Sequence, residues 1–239
     1  MTWFFSTAFY IPLYNGLVYL MDLLPWIDAG VAVILFTVIV RLIIFPLSVR
    51  SVKTQLRMRQ IEPELAALKE KYKNNREELA RKTLETYKVN DIHPFSGIFL
   101  ILIQLPIIIS LYSIFSHGGL FVTNTAILYD FVHAPLSINA HFLGLIDISK
   151  SSVLLAFLAA LSQFFQVRYS IPPPKPRTEN ASFQDDLARS MSIQMRYVLP
   201  IIIFFIAWKI VAAVSLYWIT SNLFMIGQEL FIRRRYKKN

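Results

Sequence analysis

The chain has 239 residues and no cysteine. That excludes disulfides, thiolate metal sites, a cysteine nucleophile and a lipid-modified N-terminal cysteine. Residues 1–28 contain no lysine or arginine, so the basic start of a secretory signal is missing. Glycine is scarce, at 7 residues. No serine sits between glycines at the spacing of a nucleophile elbow, and there is no glycine-rich phosphate loop and no metalloprotease helix pair. Asp130 and His133 share a helical face, but no second pair at ligand spacing joins them. Nothing therefore supports covalent catalysis, and the expectation is a protein that is not an enzyme and holds no metal or cofactor.

Charge is also sparse. Charged residues make up 16% of the chain, against 55% hydrophobic and 14% aromatic, and mean hydropathy is +0.50. Such values lie far outside soluble averages and identify an integral membrane protein. Five apolar stretches span or nearly span a bilayer, at about residues 29–49, 94–115, 152–169, 197–209 and 211–231. The last two touch and read as a tight hairpin.

Between the spans the basic residues set the orientation. Residues 48–94 hold eleven, residues 168–196 five, and the tail 232–239 another five, out of 24 in all. With five spans these regions share one side, which the positive-inside rule makes cytoplasmic. The N-terminus is then outside and the C-terminus inside. Asn15 and Asp22 lie seven residues apart on one stripe, so residues 12–24 are expected to form an interfacial helix on the outer surface, within an extracytoplasmic segment 1–28. Residues 50–91 read as a cytoplasmic helical hairpin, because Ile61, Leu65, Leu68 and Tyr72 mark one apolar face and Asn74 and Asn75 supply a break. Residues 50–90 carry eleven basic and six acidic side chains. Arg57, Arg59, Lys69, Lys73, Arg76, Arg81 and Lys82 are the candidate contacts for anionic lipid, ribosomal RNA or a partner protein. An outer loop (116–151), a cytoplasmic linker (170–196) with a proline run, and a short amphipathic helix over residues 180–195 complete the order.

One charge interrupts the first span. Arg41 is roughly 13 Å of helix from Arg50, the first interface anchor, so snorkelling reaches water poorly. Such a residue faces protein or a hydrated cavity and is the first functional suspect. The other spans contain no Asp or Glu up to residue 228. Neutral groups remain as companions, above all Gln104 beside the mid-span Pro106, then Gln163, Gln166, Ser221 and Asn222. A hydrated cavity lined by these groups is the expectation.

The runs IVRLIIFP (39–46), HPFSGIFLILIQLPIIISLY (93–112) and LYWITSN (216–222), in that order around a basic hairpin, resemble the YidC-type membrane protein insertases of the Oxa/Alb superfamily. The resemblance covers nearly the whole chain from about Phe9. It implies an all-α membrane protein whose five helices enclose a hydrophilic groove open to cytoplasm and lipid. In the groove Arg41 would receive polar or acidic parts of a nascent chain. Gln104 and one of Gln163 or Gln166 would line it, with Trp218, Ser221 and Asn222 opposite. It further implies a bacterial plasma-membrane protein acting alone or beside the Sec translocon, with nascent membrane proteins, the ribosome and anionic lipids as partners. The chain departs from the family at residues 209–213, Lys-Ile-Val-Ala-Ala, where relatives often use proline and glycine. An anion channel or small transporter, or an assembly scaffold, are the competing classes; neither repeat symmetry nor further charges along a path favour the former.

Overall fold

The computed structural model describes residues 3–92, 96–116, 123–135, 137–171, 173 and 183–236. His93, Pro94, most of the proline run, residues 180–182 at the start of the expected amphipathic helix, and Lys237 and Lys238 lie outside them. The described chain is almost entirely helical: α1 (Trp3–Phe5), α2 (Ile11–Leu23), α3 (Ala29–Gln60), α4 (Glu62–Lys71), α5 (Arg76–Val89), α6 (Ser96–Ser116), α7 (Val153–Ser170), α8 (Phe183–Ile193), α9 (Leu199–Lys209) and α10 (Ala212–Tyr236). Its strands are β1 (His141–Phe142) and β2 (Ile146–Asp147), an antiparallel pair. Among the described residues, three stretches are long and apolar enough to cross a membrane: Ala29–Gln60, Val153–Ser170 and Arg189–Lys209. This is an all-α membrane protein.

Two compact units can be distinguished, residues 1–42 with 106–231, and residues 43–105 with 232–239. In the first, small side chains do the internal packing. Ala156, Ala159, Ala207, Ala212, Ala213, Ser110 and Ser215 are buried, whereas Phe157, Leu161, Phe165, Ile201, Ile202 and Phe205 are exposed. That arrangement, small inside and bulky outside, suits a lipid solvent, where close backbone approach rather than apolar burial holds helices together.

Two helix boundaries and one side-chain environment differ from the sequence expectation. α3 does not stop near Pro46 but runs through it to Gln60, because the strong helix formers beyond Ser48 outweigh one lost hydrogen bond. The amphipathic segment α8 is not a separate surface helix. It continues through a π-helical turn, Gln194–Val198, into α9. Finally, Asn15 does not face water. Its amide donates to the carbonyls of Ile11 (2.9 Å) and Ile127 (2.8 Å), and its oxygen accepts from Tyr129 N–H (2.7 Å). Tyr14 Oη accepts from Asn124 N–H (2.7 Å). The polar stripe of α2 is thus covered by the outer loop, and Asp22 lies 3.6 Å from His133.

The outer loop ties the helix ends together. Asp28 caps α3 by accepting from Val31 N–H (2.9 Å) and, through its other oxygen, from Leu143 N–H (3.0 Å). Leu143 and Gly144 both have positive φ, as the tight turn joining β1 to β2 requires. The turn lies so close to α3 that a Cβ added at Gly30 would stand 2.4 Å from Phe142. The start of α10 uses the same loop. Ala212 N–H donates to Lys150 O (2.8 Å) and Ala213 N–H to Ile148 O (3.1 Å). These two carbonyls satisfy first-turn donors that a side-chain cap would otherwise serve, which accounts for a sharp α9–α10 turn without proline or glycine.

In the second unit α4 and α5 form the expected hairpin. Asn75 caps α5 by accepting from Glu78 N–H (3.1 Å), and Thr86 donates to Glu64 (3.4 Å). Arg57 closes the base, bonding both the carboxylate (2.7 Å) and the carbonyl (3.0 Å) of Asp91, whose positive φ (50°) is tolerated by Asp better than by most residues.

Gly30→Ala should force the Phe142 ring off α3. We expect it to destabilise the detergent-solubilised protein by about 1–3 kcal/mol, the usual penalty of overpacking, in thermal unfolding, and Phe142→Ala in the same chain should restore part of the loss. Acid should act on the same loop. Ser149 and Lys150 hold the Asp147 carboxyl at about 2, below its ordinary 3.8. A depressed folded-state value contributes stability above the unfolded value that is lost as pH falls through the folded one. Protease cleavage in residues 137–150 should therefore rise between about pH 4 and 2, and Asp147→Asn should remove that rise.

Candidate functional site

Arg41 sits in the middle of α3, half-buried. Its Nε donates to the Ser221 hydroxyl at 3.3 Å, and among the described residues that is its hydrogen-bond partner. No described carboxylate forms an ion pair with it. Ser221 and Asn222 are themselves buried, at 1% and 2% exposure. Asn222 extends the cluster by donating to Ser162 Oγ (3.0 Å), whose hydroxyl donates to the Ala159 carbonyl (2.8 Å). One polar contact thus links α3 to α10, and another links α10 to α7. Trp218 precedes Ser221 and Asn222 by three and four residues and so lies on their face of α10, half-buried.

The two glutamines of α7 continue the polar line. Gln163 Nε2 donates to Gln166 Oε1 (3.2 Å), Gln166 Nε2 to Ser170 Oγ (3.0 Å), and Ser170 Oγ to a carboxylate oxygen of Glu229. The structure therefore brings Arg41, Ser221 and Asn222 together, with Trp218 on the same face, and joins Gln163 and Gln166 to each other. Gln104 is half-buried on α6 beside Pro106 and belongs to the second unit.

Glu229 corrects the inventory of acids. The last span, read as residues 211–231, does contain a carboxylate, and it is 3% exposed. It cannot serve Arg41 directly, since eight residues of helix, about 12 Å, separate it from Ser221. The signal was present in the sequence: Glu229 follows Asn222 by two helical turns and so falls on the same stripe. Arg196 was also overlooked. It is buried in the π-helical turn and donates to the Ile171 carbonyl (2.8 Å) at the end of α7. Among the described residues, no group of three His, Asp or Glu side chains is placed to hold a metal.

On the hairpin the basic candidates divide. Arg57 is committed to Asp91, Arg81 to Glu78 (2.6 Å) and Lys82 to Glu85 (2.8 Å). The last two pairings raise the Arg81 and Lys82 values and lower that of Glu85, so all stay charged at neutral pH. Lys73 and Arg76 flank the exposed turn between α4 and α5, Lys69 is exposed one turn earlier, and Arg59 is partly covered near the end of α3.

The 60Kd inner membrane protein family matches residues 21–239. A membrane protein insertase YidC of Clostridium tetani (strain Massachusetts / E88) is 30% identical over 215 residues, covering 90% of this chain and 86% of that protein. One from Francisella tularensis subsp. novicida (strain U112) is 32% identical over 208 residues, or 87% of this chain. The chain spans only 33% of that longer relative. The matched region holds Arg41, both glutamines of α7 and the whole of α10, and over that extent the chain belongs to the 60Kd inner membrane protein family.

Proposed function

We propose that this chain is a membrane protein insertase. It lowers the barrier for moving hydrophobic segments of nascent proteins from the cytoplasm into the bilayer, and breaks no covalent bond. The observation that carries this reading is Arg41, a half-buried cation whose described hydrogen-bond partner is a neutral hydroxyl. A guanidinium has five N–H donors, and a cation placed at such depth is retained where it meets a charge or water. The complementary charge arrives with the substrate.

The mechanism follows from the surroundings. A polar or acidic residue flanking a hydrophobic segment costs about 3 kcal/mol at the bilayer centre. Arg41, with Ser221 and Asn222 beside it, offers that residue a hydrogen-bonded stop. The glutamines of α7 supply further neutral partners, and Trp218 an amphipathic wall. Meanwhile the substrate's apolar segment partitions along exposed Leu42, Phe165 and Leu223 into lipid, driven by burial of its own apolar surface. The sequence supports five spans, at about residues 29–49, 94–115, 152–169, 197–209 and 211–231, with the N-terminus outside. The hairpin of residues 50–91 is then cytoplasmic and presents Lys69, Lys73 and Arg76 to anionic lipid or ribosomal RNA, and the Sec translocon is a further partner in a bacterial plasma membrane.

Reconstituted into liposomes, Arg41→Glu should slow insertion of a single-span substrate with an acidic outer tail by about tenfold, equivalent to ~1.4 kcal/mol of lost pairing. Arg41→Lys should retain part of the rate, since charge matters more here than a bidentate fork. An unchanged rate in Arg41→Ala for every substrate would sink the groove mechanism; altered ion flux instead would indicate a channel.

A further inference from the structure

Glu229 is a buried carboxylate that the groove mechanism does not use. Hydrogen bonds join it through Ser170 and Gln166 to Gln163. Gln163, Gln166 and Ser170 stand three and four residues apart, which stacks them along one face of α7. A glutamine amide can be turned either way, because its oxygen and nitrogen are nearly the same shape, so something must decide which end faces outward. Here the decision comes from the far end. The Ser170 hydroxyl donates to a Glu229 carboxylate oxygen. The Ser170 oxygen is then left to accept, and takes the Gln166 amide N–H. Gln166 in turn presents its oxygen to the N–H of Gln163. Each member is forced by the one before it.

We propose that Glu229 is a positioning residue which, through Ser170 and Gln166, fixes the amide of Gln163 so that its carbonyl oxygen is left to accept hydrogen bonds from the substrate. The proposal rests on the reading of Gln163 as a groove residue. It gives the groove two unlike poles: Arg41, which donates, and the Gln163 carbonyl, which accepts. A substrate tail bearing lysine gains a partner at the second pole that a tail bearing aspartate lacks. Glu229→Gln replaces the carboxylate by an amide that can present either its oxygen or its N–H to Ser170. The chain then runs in both directions, and Gln163 turns its N–H outward in a share of the molecules while size and packing are kept.

The test uses full-length protein in liposomes and two single-span substrates whose outer tails differ by one residue, Asp or Lys, with insertion followed by protease protection. Glu229→Gln should raise the Asp-to-Lys ratio of insertion rates by roughly threefold, the worth of one neutral hydrogen bond. In a Ser170→Ala background, where the chain is cut, adding Glu229→Gln should leave the ratio unmoved. Equal slowing of both substrates by Glu229→Gln means that Glu229 only supports the fold, and overturns the proposal. A ratio shift that persists in the Ser170→Ala background overturns it too, since the effect would then bypass the chain. Should Glu229→Gln fail to accumulate, Ser170→Ala decides alone: by freeing both glutamines it must move the ratio toward Asp, and an unmoved ratio overturns the proposal. Gln163→Leu separates the underlying reading. If it alters neither substrate while Arg41→Glu slows the acidic one, Gln163 is not in the groove and the proposal falls while the Arg41 mechanism stands.

Discussion

The contact between Arg41 and Ser221 is the constraint from which the interior takes its form. A guanidinium at that depth cannot be surrounded by leucine, because an uncompensated charge in hydrocarbon is among the costliest arrangements available to a chain. Polar side chains must therefore stand where a tightly packed bundle would place apolar ones. Ser221 meets that need at Arg41, and Asn222 and Ser162 bond each other between α10 and α7. A neutral hydroxyl rather than a carboxylate bonds the cation, so its charge is left uncancelled within the described structure. Function and packing here draw on the same few residues.

That constraint explains why the rest of the molecule is so plain. Buried alanine and serine stand inside beside large side chains such as Tyr14, Leu17, Phe115 and Tyr217, and the exposed surface is rich in leucine, isoleucine and phenylalanine. Specific polar chemistry gathers in a few places: the contacts of Arg41, Ser221, Asn222 and Ser162, the chain from Gln163 to Glu229, the bond from Arg196 to Ile171, the loop of residues 124–150 and the ion pairs of the hairpin. The loop's role is structural. It buries the polar stripe of α2, caps α3 through Asp28, and lends two carbonyls to α10. The ends of three helices converge on one irregular segment, and each is satisfied there by backbone as much as by side chain.

Much of this was legible in the residues. Hydropathy and the lone Arg41 gave the membrane class and the first site residue, because charges in apolar runs are visible without any partner. Ser221 and Asn222 were singled out through the resemblance; Ser221 bonds Arg41 and Asn222 bonds Ser162. What escaped was whatever depended on helix ends. The last acid was missed when the polar survey of the final span stopped at residue 228, although Glu229 shares a stripe with Asn222. α8 and α9 were separated because a π-helical turn leaves no mark in hydropathy. Asn15 looked solvent-facing, since the loop that buries it lies more than a hundred positions away and tertiary contact has no local signature.

The capping of α10 by Lys150 and Ile148 has a temporal side. Until residues 148–150 stand beside the start of α10, the first donors of that helix have no carbonyls to meet, and in lipid an unmet N–H is too costly to hold. The final hairpin can close only after an earlier loop is in place. A protein that helps other chains into the bilayer thus carries, in two backbone hydrogen bonds, a fixed order for its own assembly.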